Sequence, residues 1–320
     1  MSKDAPVRWG ILGTAGISAK FIAGVNRSSE ATIVAVGSRT AERAAAFAAE
    51  HGIARAHPSY EDLLADPLVE AVYVCLPNTL HHPWTMRALA ARKHVLCEKP
   101  YSRRPDEVVA AFDLAERAGL VLSEGFMWRH HPQVRRLLEL LPEIGRLETI
   151  RATFSFILDD PNDIRLRADL EGGSLMDVGC YCVSGARLLA GEEPDLAYGS
   201  AVTGPSGVDV RFTGILRFPS GAVAEFGSGL TTDHRGLEAI GTAGSIRLVD
   251  PWHARPATVV LDGVELAIEP ADPYQLEVED LSTAVRGRRA PLLGRADALG
   301  QARTIDALLH SAEAGHPLRL

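Results

Sequence analysis

The stretch VRWGILGTAGISAKFIAGV, residues 7–25, decides the fold. Its first six residues, VRWGIL (7–12), form a short apolar run of the kind that makes a buried strand. Small residues follow, Gly13-Thr14-Ala15-Gly16, and Ile17 opens an apolar-periodic segment, ISAKFIAGV, read as a helix. A strand that passes through a small-residue turn into a helix start gathers backbone N–H groups and the positive end of a helix dipole. A phosphate can sit there. The literal fingerprint G-x-G-x-x-G is absent: in that register the chain has Gly13, Ala15 and Ser18, and Gly10, Gly13 and Gly16 give a different spacing. The context still makes Gly13, Thr14, Ala15, Gly16 and Ile17 candidates for cradling a dinucleotide.

Outward from this stretch, strand and helix signals alternate. TIVAVGSR (32–39) reads as a strand and TAERAAAFAAEHG (40–52) as a helix closed by glycine. SYEDLLAD is a short helix with a serine cap, VEAVYVCLP (69–77) a strand, HHPWTMRALAARK (81–93) a helix and HVLCEKP the next strand. RPDEVVAAFDLAERAG (104–119) is a helix with proline at its start and glycine at its end, and LVLSEGF (120–126) closes the series. This alternation predicts an α/β Rossmann domain over 1–126, a parallel sheet covered on both faces.

After about residue 126 the pattern changes. A linking helix (HPQVRRLLELLP), a strand (147–156) and a polar loop over 158–173 precede a helix over 174–191. Strands follow in AYGSAVTG, VRFTGILRF, AVAEFGSGL, IRLV and TVVLDGVELAI, with PSG (219–221) as a hairpin turn, and helices lie near 274–287 and 295–315. Successive strands with flanking helices predict a second, α+β domain over 127–320 with a large, mostly antiparallel open sheet. That sheet needs a cover on the face its helices leave open, so a homodimer or homotetramer is expected.

Composition narrows the function. Of 320 residues, 46% are hydrophobic and 23% charged, ordinary for a soluble globular protein, and the formal charge of −8 comes with no basic stripe to hold a nucleic acid. No run approaches the ~20 apolar residues of a membrane span. The four cysteines (Cys75, Cys97, Cys180, Cys182) make a poor disulfide framework and read as core thiols of a cytoplasmic protein. The pairs His81-His82 and His130-His131 lack a carboxylate cluster at ligand spacing, so no metal is expected.

The end of the second strand selects the cofactor. NAD sites usually carry an acid there for the ribose 2′-OH. Here the strand ends Gly37-Ser38-Arg39, with Arg43 one helical turn on. A hydroxyl and a guanidinium suit a 2′-phosphate, so NADP is expected over NAD.

The segment HVLCEKPYS (94–102) places Glu98, Lys99 and Pro100 at the tip of an interior strand, where a charge needs a chemical reason. Together with PNTLHH (77–82), EGFMWRHHP (124–132) and GGSLMDVGCY (172–181), in that order, it resembles the glucose–fructose oxidoreductase / inositol dehydrogenase (Gfo/Idh/MocA) family over nearly the whole chain. The similarity is strongest to its subgroup of glucose–fructose oxidoreductase, dimeric dihydrodiol dehydrogenases and NADP-dependent D-xylose dehydrogenases. The resemblance implies a nicotinamide between a Rossmann domain and an open-sheet domain, with oligomers formed on the sheet's outer face. It implies that Lys99 stands beside the reacting carbon and that Pro77, Asn78 and His81 line the cofactor; Leu76 is a candidate beside them, and Glu98 is expected to touch the cofactor ribose or the loop backbone. It also implies that Asp177 and Tyr181 close the site and that Arg165, in the loop before GGS, reaches cofactor or substrate. Many sugar and inositol dehydrogenases of the family carry histidine where Tyr181 stands, so an inositol substrate is disfavoured.

The residues support a mechanism directly. Asp177 and Tyr181 are four apart on a predicted helix and would share a face. Oxidising an alcohol needs a base for the hydroxyl proton. A tyrosine, with pKa near ~10, becomes one when a lysine cation such as Lys99 favours its phenolate. Lys99 as the proton carrier is the alternative. Trp128 and Arg129 follow the last Rossmann strand and are expected to wall the pocket of a small-molecule substrate. The expected reaction is oxidation of an aldose at C1, of the D-xylose or D-glucose type. Reduction of a keto-sugar or nucleotide-linked keto-sugar, trans-dihydrodiol oxidation and a non-catalytic dinucleotide-binding regulator are the alternatives.

Overall fold

The computed structural model describes residues 5–320. Two compact units divide the chain: residues up to Met127 with Asp272–Leu299, and Trp128–Ala271 with Gly300–Leu320. The first unit therefore includes a C-terminal segment that the expected 1–126 domain does not contain.

The first unit runs β1 (Val7–Leu12), α1 (Gly16–Val25), β2 (Ala31–Gly37), α2 (Ala41–His51), β3 (Arg55–His57), α3 (Tyr60–Ala65), β4 (Ala71–Val74), α4 (Asn78–Ala90), β5 (His94–Glu98), α5 (Pro105–Ala118) and β6 (Leu122–Gly125). Its six strands pair in parallel in the order β3-β2-β1-β4-β5-β6. Local chemistry sets the helix bounds. Thr40 and Ser59 accept hydrogen bonds from the backbone N–H groups of Arg43 and Asp62, capping α2 and α3. Gly52 and Gly119 end α2 and α5 in the left-handed conformation. Two departures from the sequence reading are small: β3 has only three residues, too few to show a period, and α4 starts three residues earlier than expected, at Asn78.

The second unit contains a 3-10 turn (Met127–His130, its first residue counted with the first unit), α6 (Pro132–Leu140), β7 (Leu147–Ile157), a π-helical stretch (Leu175–Gly179) leading into α7 (Cys180–Ala190), and then β8 (Leu196–Thr203), β9 (Asp209–Arg217), β10 (Val223–Gly229), β11 (Thr231–Gly241), β12 (Ser245–Leu248), β13 (Thr258–Leu261) and β14 (Val264–Ala267). After α8 (Pro273–Val285) come α9 (Arg295–Ala314) and β15 (Leu318–Arg319). The sheet has nine strands in the order β14-β13-β12-β11-β7-β10-β9-β8-β15, and only β7 and β10 pair in parallel. Along β9, Phe212, Gly214 and Leu216 are buried while Arg211, Thr213, Ile215 and Arg217 are exposed, so one face is covered and one is open. The covered side meets the π-helical stretch and α7, where Gly179 of the former approaches Ser228 and Gly185 of the latter approaches Leu237.

Three expectations change here. The helix over 174–191 begins as π, so Asp177 and Tyr181 lie on differently wound segments rather than on one regular helix. TVVLDGVELAI is a hairpin, β13–β14, turned by Asp262 and Gly263 with φ of 47° and 82°. The sequence reading passes over β11, because its polar start TTDHR hides the alternation, yet it lies inside the sheet between β12 and β7.

Helix α8 belongs to the first unit. Gly24 of α1 makes room for it: a Cβ there would lie 2.7 Å from the backbone of Tyr274 and Gln275. Trp9 Nε1 donates to Ser282 Oγ at 3.2 Å, and the largely buried Arg286 pairs with Glu70 at 2.9 Å. Val278 and Leu281 complete the core around Trp9, Phe21 and Tyr73. All four cysteines are free and buried, and burial pushes the Cys75 thiol up to about 12. Among the described residues no helix is long and apolar enough to cross a membrane.

Candidate active site

The sheet order makes β2, β1, β4 and β5 consecutive neighbours, so their C-terminal ends stand side by side. The direction of winding reverses between β1 and β4, the point where open parallel sheets bind ligands. At the end of β1, Gly13 has φ +113°, and a Cβ there would lie 3.0 Å from the Cys75 carbonyl oxygen, so the turn requires glycine. Helix α1 starts with no side-chain cap and no acid in its first turn, and a Cβ on Gly16 would meet nothing within 4 Å. The start of α4, after Pro77, likewise has neither cap nor acid. These helix starts without side-chain caps and the open space at Gly16 fit a dinucleotide pyrophosphate. Arg43 Nη2 donates to Thr14 Oγ1 at 3.3 Å, which brings a cation to the same turn. Ser38 is buried, while Arg39 and Arg43 are exposed beside it.

At the ends of β4 and β5 the side chains brace one another. His81 is buried with its ring nitrogens 2.7 Å from the Leu76 carbonyl oxygen and 2.8 Å from that of Pro100. Among the expected cofactor residues, then, His81 ties two loops together. The Lys99–Pro100 peptide is cis. Glu98 accepts from the Tyr73 hydroxyl and, at 3.2 Å, from the Lys99 backbone N–H. Burial, and then the charge of Glu98, push the Tyr73 hydroxyl well above its ordinary value. Glu277 of α8 is also buried, and one of its carboxyl oxygens has no hydrogen bond. Burial first, then the charges of Glu98 and Asp280, raise its carboxyl well above the usual range.

The second unit carries the other group of expected residues. Asp177 lies in the π-helical stretch and Tyr181 in the first turn of α7. Arg165 donates from Nε to Asp177 at 2.7 Å and from Nη1 to Asp163 at 3.2 Å. Burial opposes the charge on Arg165, but the two carboxylates outweigh it and raise its pKa. The Gly172-Gly173 pair builds this contact. Both N–H groups donate to carbonyls of the preceding loop, Gly172 to Arg167 at 2.9 Å and Gly173 to Arg165 at 2.8 Å. A Cβ on Gly172 would lie 2.3 Å from the Arg165 carbonyl oxygen. Trp128 is 1% exposed, so it has no open face for a sugar; its ring meets Trp252 edge to face at 5.1 Å. Arg129 donates to Ser184 Oγ at 3.2 Å.

Four residues escaped the sequence reading. Tyr73 looks like any strand aromatic. Asp163 sits in a polar loop. Asp209, 35 residues after Ser174, accepts from Ser174 Oγ at 2.7 Å and from the Leu175 N–H at 2.8 Å. Trp252 reaches Tyr181 from a turn 71 residues on. Tyr73, Asp209 and Trp252 acquire their roles from distant partners, and Asp163, which pairs with Arg165 only two residues on, gives no sign of that role in a loop rich in charges.

Comparison with known proteins identifies the family. Residues 7–126 match the oxidoreductase family with NAD-binding Rossmann fold, Gfo/Idh/MocA, and residues 133–247 match a Gfo/Idh/MocA C-terminal domain. The chain is 42% identical, over 98% of its length and 99% of the relative's, to D-xylose 1-dehydrogenase (NADP(+)) 2 of Haloferax volcanii. An aldose-aldose oxidoreductase from Caulobacter crescentus, crystallised with glycerol, superposes with a TM-score of 0.90 at 28% identity, covering 98% of this chain and 100% of that one. A 3-ketoreductase from Actinomadura kijaniata, crystallised with NADP and TDP-benzene, gives 0.90 at 28% identity, covering 96% and 98%. The chain belongs to the Gfo/Idh/MocA family of oxidoreductases.

Proposed function

We propose that the protein is an NADP-dependent oxidoreductase acting on a sugar or polyol, with the C1 hydroxyl of an aldose such as D-xylose or D-glucose as its substrate. The observation that carries this reading is the 42% identity, end to end, with a D-xylose 1-dehydrogenase (NADP(+)). When bound, the nicotinamide supplies the acceptor or donor for hydride. The chain does the rest. Backbone N–H groups at Thr14–Gly16 hold the pyrophosphate, while Ser38, Arg39 and Arg43 hold the 2′-phosphate. Leu76, Pro77 and Asn78 line the cofactor, and His81 holds their loop to Pro100. Lys99 hydrogen-bonds the substrate oxygen and stabilises the charge that develops on it. Tyr181 takes the hydroxyl proton in oxidation and returns it in reduction, its phenolate favoured by the Lys99 cation. Asp177, held by Arg165, orients Lys99 or a sugar hydroxyl. Glu98 fixes the Lys99 backbone, and Arg129 stands at the pocket wall.

Keto-sugar reduction is the second reading, supported by the overall match to the A. kijaniata 3-ketoreductase. We propose further that the enzyme works in the cytoplasm as a homodimer or homotetramer, without nucleic-acid or membrane partners. The open face of the nine-stranded sheet, which exposes Val202, Ile215 and Val223, would form the contact.

The test is the initial rate of NADPH formation with D-xylose, compared between the parent enzyme and Lys99→Met. A rate that falls by about 100-fold or more in the variant supports the reading. If aldoses give no rate and a keto-sugar drives NADPH oxidation, the second reading replaces it. No turnover of either class by folded protein overturns both.

A further inference from the structure

Tyr181 stands against a closed group of aromatic rings, all within the second unit. Its ring meets Phe154 edge to face, with centroids 5.2 Å apart at 79°, and meets Trp252 at 5.7 Å and 66°. Phe154 and Trp252 in turn stack at 5.8 Å and 14°. Each pair of the three is therefore in contact, and the phenol ring is confined by two faces at once. Trp252, fully buried, also takes the edge-to-face contact of Trp128.

The turn that delivers Trp252, between β12 and β13, is fixed from several sides. Trp252 Nε1 donates to the Thr153 carbonyl on β7 at 2.9 Å. The Asp250 carboxylate accepts from the backbone N–H groups of His253 at 3.1 Å and Arg255 at 3.3 Å. Gln133 Nε2 donates to the carbonyls of Asp250 at 3.0 Å and Pro251 at 3.2 Å. On the other side, α7 is notched to receive the indole. Gly185 follows Tyr181 by four residues, so both lie on one helix face. A Cβ on Gly185 would lie 3.2 Å from Trp252 Cη2 and 3.1 Å from the Leu237 side chain.

We propose that Trp252, seated in the Gly185 notch, is a positioning residue that sets the direction of the Tyr181 phenol and hence the efficiency of proton transfer. The inference rests on the reading of Tyr181 as the acid/base group. A tyrosine has two side-chain torsions, and proton transfer tolerates little error in where its oxygen lies. A displacement of about 1 Å costs on the order of 100-fold in rate. The indole also keeps water from one face of the phenol ring, and exclusion of water disfavours the phenolate.

The test measures kcat, KM, the pH profile of kcat for oxidation, and Tm in Trp252→Leu, Trp252→Phe, Gly185→Ala and the double variant of the last two. Trp252→Leu is expected to lower kcat about 10- to 100-fold, with a much smaller change in KM. Its pH midpoint should move down, because water reaches the phenol. Trp252→Phe keeps an aromatic face and should retain most of kcat. Gly185→Ala, whose methyl pushes the indole, should lower kcat in a folded protein. The double variant should recover part of the Gly185→Ala loss, because the smaller ring relieves the contact with the indole and leaves only the one with Leu237. Variants that lose Tm while kcat and pH profile stay at parent values overturn the proposal, leaving Trp252 as core packing. Tyr181→Phe separates the two ideas: full kcat in that variant overturns the acid/base reading itself.

Discussion

Two helix starts, one in each unit, meet the same electrostatic need in opposite ways. Helix α1 begins uncapped, with no acid in its first turn and open space at Gly16. The π-helical stretch that leads into α7 begins on a carboxylate supplied by the protein. Asp209 accepts from Ser174 Oγ and the Leu175 N–H, and its Oδ1 lies 2.1 Å from where a Cβ on Gly173 would be. A helix start leaves N–H groups that need acceptors. At the start of α1 no side chain caps them, and in the proposed function they receive the cofactor's phosphates. In the second unit the Leu175 N–H is satisfied by Asp209, which holds the segment bearing Asp177 in place from within the protein. Binding and positioning are thus separated in the sequence, and substitutions should separate them too.

The largest effect is expected at the filled start. Gly173→Ala combines a backbone φ of +112° with a methyl driven into Asp209. It should cost about 3–5 kcal/mol of stability, read as a fall in the denaturant midpoint. A parent-like midpoint would mean that the contact relaxes at little cost. Asp209→Ala should cost about 1–3 kcal/mol by stranding the Leu175 N–H, with kcat falling more than the KM for NADP. Asp209→Asn isolates the charge. Burial outweighs the hydrogen bonds and raises the Asp209 carboxyl above its ordinary value of 3.8. A raised acid favours the folded state below its unfolded pKa, and that advantage is lost as the pH rises through the folded pKa. The Tm of Asp209→Asn, relative to the parent, should therefore climb as the pH rises from about 3.8 through that window. A difference independent of pH would contradict the assignment.

At the open end the expectation reverses: binding changes and stability does not. Arg39→Ala should lower the preference for NADP over NAD by about 10- to 100-fold, the worth of one charge-assisted contact. An unchanged preference would remove Arg39 from the cofactor site. Gly16→Ala is the mildest. Its methyl meets no protein atom, so Tm should hold, while the KM for NADP rises about tenfold, or about 1.4 kcal/mol. A loss of Tm with an unchanged KM would sink the contrast between the two starts.

Much of the first unit was readable because its signals are local. Period, caps and turn glycines act within a few residues, so β1, α2, α3, β5 and α5 emerge from sequence with bounds close to those observed. The same holds for Ser38 and Arg39 at the end of β2 and for Lys99 after β5. What failed was non-local. β11 begins with polar residues and is recognisable as a strand only once β7 and β12 flank it. Asp177 and Tyr181 were legible as candidates, but the π winding beneath Asp177 was not, and neither were the contacts that Asp209 and Arg165 make with this segment.

By itself, the sequence determined the alternating first unit, the strand-rich second unit, the small-residue turn after β1 and the charged tip of β5, since each is written in neighbouring residues. Only the tertiary structure decided that α8 returns to the first unit, that Asp209 caps the segment carrying Asp177, and that Trp252 flanks Tyr181. Those contacts join residues tens to hundreds of positions apart. Their energy comes from burial and from pairing groups that would otherwise be stranded, and no local pattern encodes which distant partner will supply it.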